Sequence, residues 1–199
     1  QLNHVVSERE TVPNDPNFGQ QWHHVESGDH DIDSDLAWDV TTGGVAGNGA
    51  RIVVAVLEGS GSNYSHTDLI DNHWTNTGEV PDNGIDDDNN GYVDDYNGWN
   101  VGSNNDNIAG GGHGTSVSGM IGATGNNGSG GAGVNWDVDI MQVDMAGGLS
   151  EGNVIAAYEY PKTLRDQFNA TGGTEGSFVV ATNASWGIDQ ANPANYPAW

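Results

Sequence analysis

Arg51-Ile52-Val53-Val54-Ala55-Val56-Leu57-Glu58 is a continuous apolar run, rich in β-branched residues, that ends on a carboxylate. A half-exposed strand alternates apolar and polar residues. This one does not, and a strand apolar on both sides belongs in a parallel sheet covered by helices on each face. Glu58 then stands at the strand's C-terminal end, the edge at which open α/β sheets gather their ligands. Later segments extend the pattern. Val138 to Val143 alternates and reads as a strand, and Ser177 to Ala184 reads as another buried strand. Between them Ser150 is placed to cap a long helix with Val154, Ile155, Tyr158, Leu164 and Phe168 on its apolar side. Pro161 is predicted to kink or divide that helix, and Gly172-Gly173 to end it. Strands alternating with helices, without an internal repeat or linker, predict a single α/β domain built on a mostly parallel sheet.

The helix expected after the first strand carries the chemistry. In Gly111-Gly112-His113-Gly114-Thr115-Ser116-Val117-Ser118-Gly119 a glycine loop enters a helix whose predicted apolar face is Val117, Met120 and Ile121. Gly114, Gly119 and Gly122 each cost roughly 1 kcal/mol relative to alanine, and a close approach to a neighbouring element explains their presence. A histidine held at a buried helix start can exchange a proton near neutral pH.

Composition narrows the classes. The 199 residues carry 28 acidic and four basic side chains, a net charge of −24, with 35% hydrophobic residues, 31 glycines and no cysteine. Such a surface excludes nucleic acid and anionic membranes as partners, because both require cationic contacts. Disulfides and thiolate metal sites are excluded within the chain. No apolar run approaches the roughly 18 residues of a membrane span. Gln1 is not an initiator methionine, which suits a secreted protein whose leader has been removed, although a fragment boundary would look the same.

The acid concentrates in residues 71 to 110. Asp86, Asp88, Asn90, Tyr92 and Asp94 occupy positions one, three, five, seven and nine of a loop with Gly91 at six. That is the spacing by which EF-hand-type loops wrap calcium, although Asn97 stands where the bidentate glutamate would be. A solvated acidic turn is the plainer alternative. Trp74, Tyr92, Tyr96 and Trp99 are placed to anchor this loop to the body, with a carbohydrate platform as the other reading. Towards the N-terminus, Ser34 could cap a short helix from Asp35 to Val40, with Leu36, Ala37 and Val40 as its apolar side.

Taken together, these motifs resemble the subtilisin-like serine proteases, the subtilases. His113-Gly114-Thr115-Ser116-Val117-Ser118-Gly119 is similar to the family's histidine motif, His-Gly-Thr-x-(Val/Ala)-(Ala/Ser)-Gly. Val54-Ala55-Val56-Leu57-Glu58 followed by His66-Thr67-Asp68-Leu69 resembles its aspartate motif. Two features depart from that motif: glutamate replaces aspartate, and the spacing to His66 is one residue longer. Gly114-Thr115-Ser116 also looks like the start of the family's serine motif, but the preceding histidine and the lack of a following proline assign it to the histidine motif, so Ser116 is not the expected nucleophile.

The resemblance implies a subtilisin-like fold and a triad in which Glu58 orients His113 as general base, unless Glu58 is only a strand-end carboxylate. It implies that Ser185-Trp186-Gly187 offers main-chain groups to a peptide or protein substrate laid alongside as an added strand. It also implies calcium held by Asp15, Asp68, the Thr124 carbonyl, the Asn127 side chain and the carbonyls of Ser129 and Gly131, with the Asp86–Asp94 loop as a second site. No Gly-Thr-Ser-x-(Ala/Ser)-x-Pro occurs in the chain. The expected reading is therefore the N-terminal part of a catalytic domain, residues 1–199, whose serine and oxyanion asparagine lie in a C-terminal half beyond Trp199. The alternatives are a non-catalytic, calcium-stabilised binding module that keeps the substrate groove, and an acidic calcium-binding adhesion domain.

Overall fold

In the computed structural model, residues 10–28, 30–108, 110–146, 148–187 and 192–195 are described. Gln1 and Trp199 lie outside them. Four parallel strands form one sheet: β1 (Val53–Glu58), β2 (Trp99–Asn100), β3 (Asp139–Asp144) and β4 (Val179–Asn183), in the order β2-β3-β1-β4. From the central β1 the chain passes through α2 (Gly112–Gly122) on one face to β3. It then returns through α3 (Glu151–Thr171) on the other face to β4, on the far side of β1. The direction of winding therefore changes at β1, whose last residue is Glu58. The α/β parallel architecture expected from the strand patterns is the one observed.

Alternate residues of β1 serve the two faces, which is why the run is apolar throughout. Val53, Ala55 and Leu57 join Met141, Val143, Tyr160 and Leu164 beneath α3. Val54 and Val56 pack with Val138, Ile140, Val117 and Ile121 beneath α2. Burying each of the larger apolar side chains contributes about 1.5–3 kcal/mol.

The acidic segment is an insertion. His73 bridges Ile140 and Trp74 N–H donates to the Ile140 carbonyl, while Trp99 and Asn100 pair with Val143 and Asp144. These two collinear pieces share the outer edge of β3, and residues 76–98 loop out between them. Trp74, Trp99 and Tyr92 root the loop in the α3-side core.

Several local expectations change. The first helix, α1, spans Ser34–Trp38 and buries Ser34, Asp35 and Trp38, whereas Leu36 and Val40 are exposed. Trp38 is the larger anchor: it packs on Trp136 and donates its indole N–H to the Val134 carbonyl. Ser34 does not cap the helix; its hydroxyl bonds His24 Nδ1. On α2 the buried residues are Gly114, Ser118 and Gly122, with Val117 and Ile121 at the margin and Met120 turned out. A Cβ on Gly119 would meet nothing within 4 Å beyond its own helix turn, so the close approach expected there does not occur. On α3 Ser150 accepts the Asn153 N–H as expected, Gly172 ends the helix with φ 66°, and Pro161 does not divide it. Val154, Ala157, Tyr160 and Leu164 face the core, while Ile155 and Tyr158 are largely exposed. β4 buries only Val179, because it is the sheet's edge and has one strand neighbour. Among the described residues no helix is long and apolar enough to cross a membrane.

Candidate active site

Glu58 and His113 meet because two backbones approach very closely. The Gly111 N–H donates to the Ser60 carbonyl at 3.0 Å, seating the start of α2 on the turn that follows β1. A Cβ on Gly114 would lie 2.1 Å from the Gly61 carbonyl oxygen and 3.1 Å from Glu58 Cγ; one on Gly111 would lie 2.3 Å from Ser60 Oγ. Glycine at 111 and 114 is thus a steric requirement of this contact. The Asn63 N–H donates to Thr115 Oγ1, and Thr115 Oγ1 donates to the Gly111 carbonyl, which ties the turn to the helix a second time.

In that setting His113 Nδ1 lies 2.8 Å from Glu58 Oε2. A carboxylate can only accept, so Nδ1 carries the proton and Nε2 is left as the basic nitrogen. The Glu58 side chain is 4% exposed and that of His113 60%. A buried acceptor holding an accessible imidazole in one tautomer is the arrangement required of a general base. Glu58 Oε1 is buried and has no hydrogen-bond partner. Beside this pair, Trp186 packs against the core and donates its indole N–H to the Leu57 carbonyl at 2.8 Å, which brings Ser185-Trp186-Gly187 alongside the end of β1. Ser185 Oγ accepts from Asn183 Nδ2, and Gly187 has no neighbour within 4 Å of its Cα substituent position.

The loop between β2 and α2 is organised from β2. Asn100, 3% exposed, accepts the N–H groups of Gly102 and Ser103 and donates to the Asn107 carbonyl and to Asp144, so one side chain organises the loop leading to the helix. Nothing in the sequence marks Asn100 among its many asparagine neighbours.

A family model for peptidase S8, described as the subtilase family, matches residues 49–198. The chain belongs to the subtilase family. Subtilases are serine proteases. Among solved structures the chain is similar to one described as proteases from Pseudoalteromonas arctica PAMC 21717, at 25% identity and a TM-score of 0.47, over 73% of this chain and 43% of that one. The chain thus spans less than half the length of that structure. No curated protein matches it.

The oxygen groups expected to hold calcium in this subtilase fall into two clusters. In the first, Asp15 accepts the N–H groups of Asn126 and Asn127, and Asp68 accepts that of Gly131. The Thr124 N–H donates to the Asp68 carbonyl, and Asn127 Oδ1 accepts from the Ser129 N–H. Asp68 Oδ1 and Thr124 Oγ1 are buried with no partner. Gly130, at φ 41°, leaves no room for a Cβ, which would lie 1.7 Å from Asp68 Oδ2. An all-oxygen cradle with an unpartnered buried carboxylate oxygen fits a hard cation.

The second cluster differs from its spacing. Glu79, Asp86 and Asp88 each offer an oxygen within 4.8 Å of the others. Asp94 instead turns to the N–H groups of Asn83 and Gly84, and Asn90 directs its amide nitrogen to Asp88 and Asp95 and its oxygen to the Tyr92 N–H. Glu79, missed by the loop spacing because it lies before the loop, is 5% exposed and accepts from Asp87, Asp88 and Asp94 N–H groups. Burial raises its pKa. Beneath the loop Asp95, fully buried, accepts from Tyr160, Asn76 and Asn90, and burial lifts its pKa to about 7.

Proposed function

We propose that residues 1–199 are the N-terminal part of a subtilisin-like catalytic domain, and that the whole protein is a secreted serine endopeptidase. The observation that carries this reading is the 2.8 Å contact between His113 Nδ1 and buried Glu58. In the proposed mechanism His113 Nε2 takes the proton of a serine hydroxyl supplied by the C-terminal part of the domain, and later gives it to the leaving amine. Glu58 keeps the Nδ1 proton in place and stabilises the imidazolium. Ser185-Trp186-Gly187 lies alongside the same strand end and would pair through its main chain with a peptide or protein substrate. The outer edge of β4 is where the C-terminal part would continue the sheet, since among the described residues β4 pairs with β1 on one side and with no strand on the other.

Calcium is the proposed structural ion. Asp15, Asp68, Thr124, Asn127, Ser129 and Gly131 would hold it between the N-terminal segment and the loop after α2. Glu79, Asp86 and Asp88, with Asn90 and the Tyr92 carbonyl, form the second candidate site, and Asp94 would act there by shaping the loop.

The test is labelling of the full-length protein by a serine-directed phosphonate. Stoichiometric labelling of a serine beyond residue 199, together with peptide turnover abolished by His113→Ala, is expected. Labelling of Ser116, or turnover that survives His113→Ala, would overturn the assignment. Absence of both labelling and turnover would make the protein a binding module.

A further inference from the structure

α2 meets the sheet through an unusually smooth face. Its buried residues, Gly114, Ser118 and Gly122, are spaced four apart and so align along one side of the helix. Such a stripe allows closeness but does not fix alignment. Helices packed through larger side chains are held by ridges seated in grooves, and glycine offers no ridge. Val117 and Ile121 flank the stripe and are only partly buried.

Hydrogen bonds hold the two ends of α2, from Gly111 and Thr115 to the turn after β1 and from Asn72 to the Gly122 carbonyl; midway along the stripe the directional contact is Ser118 with Gln142. Gln142 Nε2 donates to Ser118 Oγ at 3.2 Å, and Ser118 Oγ lies 3.5 Å from Ser62 Oγ on the turn after β1. None of the three residues is more than 1% exposed. Gln142 stands on β3 opposite Val56, two residues before the level of Glu58, on a face where Val56, Val138 and Ile140 are aliphatic. An amide is a costly choice there, because its Oε1 is buried without a partner.

Its position explains the choice. Two residues of strand separate Gln142 from the level of Glu58, about 7 Å. Five residues of helix separate His113 from Ser118, about 7.5 Å. Because α2 starts at the C-terminal ends of the strands and runs back along the sheet, the two spans match. The catalytic pair, one residue before the stripe, and the Ser118–Gln142 bond within it are thus matched in height along the sheet although they leave the helix in different directions. We propose that Ser118 and Gln142 are positioning residues that fix the roll of α2, keeping His113 Nδ1 on Glu58. The effect on rate rests on the protease reading above; the effect on the Glu58–His113 bond does not. A roll of about 10° moves a group 5–6 Å from the helix axis by about 1 Å. A misplacement of that size costs about 10²-fold in rate.

The experiment compares full-length wild type with Ser118→Ala, Gln142→Met and the double variant, none of which adds bulk to the stripe. Steady-state kinetics on a peptide substrate are read beside the low-field proton resonance of His113 Hδ1. Each single variant is expected to lower kcat about 10- to 100-fold with KM nearly unchanged, and to shift or broaden the resonance. The double variant should be no worse than the worse single one, because the two act as one contact. An unchanged resonance overturns the proposal whether kcat falls or not, as does a change confined to the melting temperature. If wild type shows no turnover, the protease reading falls, and the resonance alone still decides the role of Ser118 and Gln142. If one variant does not fold, the other carries the test.

Discussion

Glu58→Gln separates the charge of the proposed orienting residue from its shape. Glu58 is 3% exposed and bonds His113 Nδ1 through Oε2. Glutamine fills nearly the same volume, so the turn packed on Gly111 and Gly114 is undisturbed. Its amide nitrogen, offered to Nδ1, would push the imidazole proton to Nε2 and convert the base into a donor. Its amide oxygen would preserve the tautomer but leave the imidazolium without a counter-charge. The equivalent change of an orienting carboxylate in a serine-protease triad costs about 10⁴ in kcat, which is about 5.5 kcal/mol of transition-state stabilisation. Stability should respond differently. His113 is 60% exposed, so solvent competes for the hydrogen bond and its loss costs at most about 1 kcal/mol. Removing a buried charge whose Oε1 has no partner offsets that loss. The melting temperature should therefore move by less than about 4 °C.

The assay is kcat and KM on a chromogenic peptide with the full-length protein, alongside a thermal melt. Glu58→Asp supplies the geometric control: it withdraws the carboxylate by about 1.5 Å, enough to break a 2.8 Å contact, and should lose about 10²-fold. A Glu58→Gln protein that keeps kcat within about tenfold of wild type would refute the orienting role. So would Glu58→Asp exceeding wild type, since that would mean glutamate holds the histidine poorly.

Three further outcomes follow from the same geometry. Gly114→Ala should destabilise by about 1–3 kcal/mol and abolish turnover, because the new methyl would lie 2.1 Å from the Gly61 carbonyl; a Gly114→Ala protein with wild-type activity would show that α2 is not held there. At calcium concentrations about 100 times Kd, the ion should add about 2.7 kcal/mol, or roughly 5–10 °C, a difference removed by chelation and by Asp68→Asn; a melt indifferent to chelator would exclude a structural ion. In chelated protein, Asp95 and His73 should tilt the pH–stability profile in opposite senses. Asp95 has its pKa raised to about 7, so its contribution is present at low pH and lost as pH rises through 7. His73, pushed by burial to about 4, contributes stability above its unfolded value that is lost as pH falls through 4. Asp95→Asn should therefore steepen the loss on acidification and His73→Phe should lessen it; parallel profiles for the two variants would contradict the assigned burial.

The elements of this fold were legible where one periodicity decided them. A run apolar at both parities placed β1 inside the sheet, and a capping serine with two terminal glycines bounded α3 correctly. Apart from the Ser34 cap and the break at Pro161, the failures have a common cause: each asked which side of an element faces in, and tertiary partners answered it. Leu36 and Val40 look like an apolar face, yet Trp38 has more area to bury and Trp136 to receive it. Met120 matches the helical spacing, but the sheet takes Gly114, Ser118 and Gly122, because only those residues let the backbones close. Glu79 and Gln142 were invisible for a related reason. Glu79 reaches the acidic loop from before its first position, and Gln142 looks like an ordinary alternation in a strand whose partner helix the sequence does not identify.

Glutamate at 58 and the longer turn after it are best understood as one adaptation. An orienting carboxylate one methylene longer than aspartate needs the imidazole held further from its own Cα. The helix start therefore has to stand further from the strand end while remaining attached to it. On the proposed triad reading the extra residue would supply that distance: Ser60 and Gly61 present two successive carbonyls to α2, one accepting the Gly111 N–H and the other lying against Gly114. Both contacts fail if either helix glycine gains a side chain. If the two departures from the family's pattern, a longer acid and a longer turn, compensate each other, neither should be revertible alone. A one-residue deletion in 59–61 should cost as much activity as Glu58→Asp, whereas deletion and Glu58→Asp together should recover part of it. Simple additivity of the two losses would mean that the turn and the acid are independent, and the 2.8 Å contact would then need another explanation.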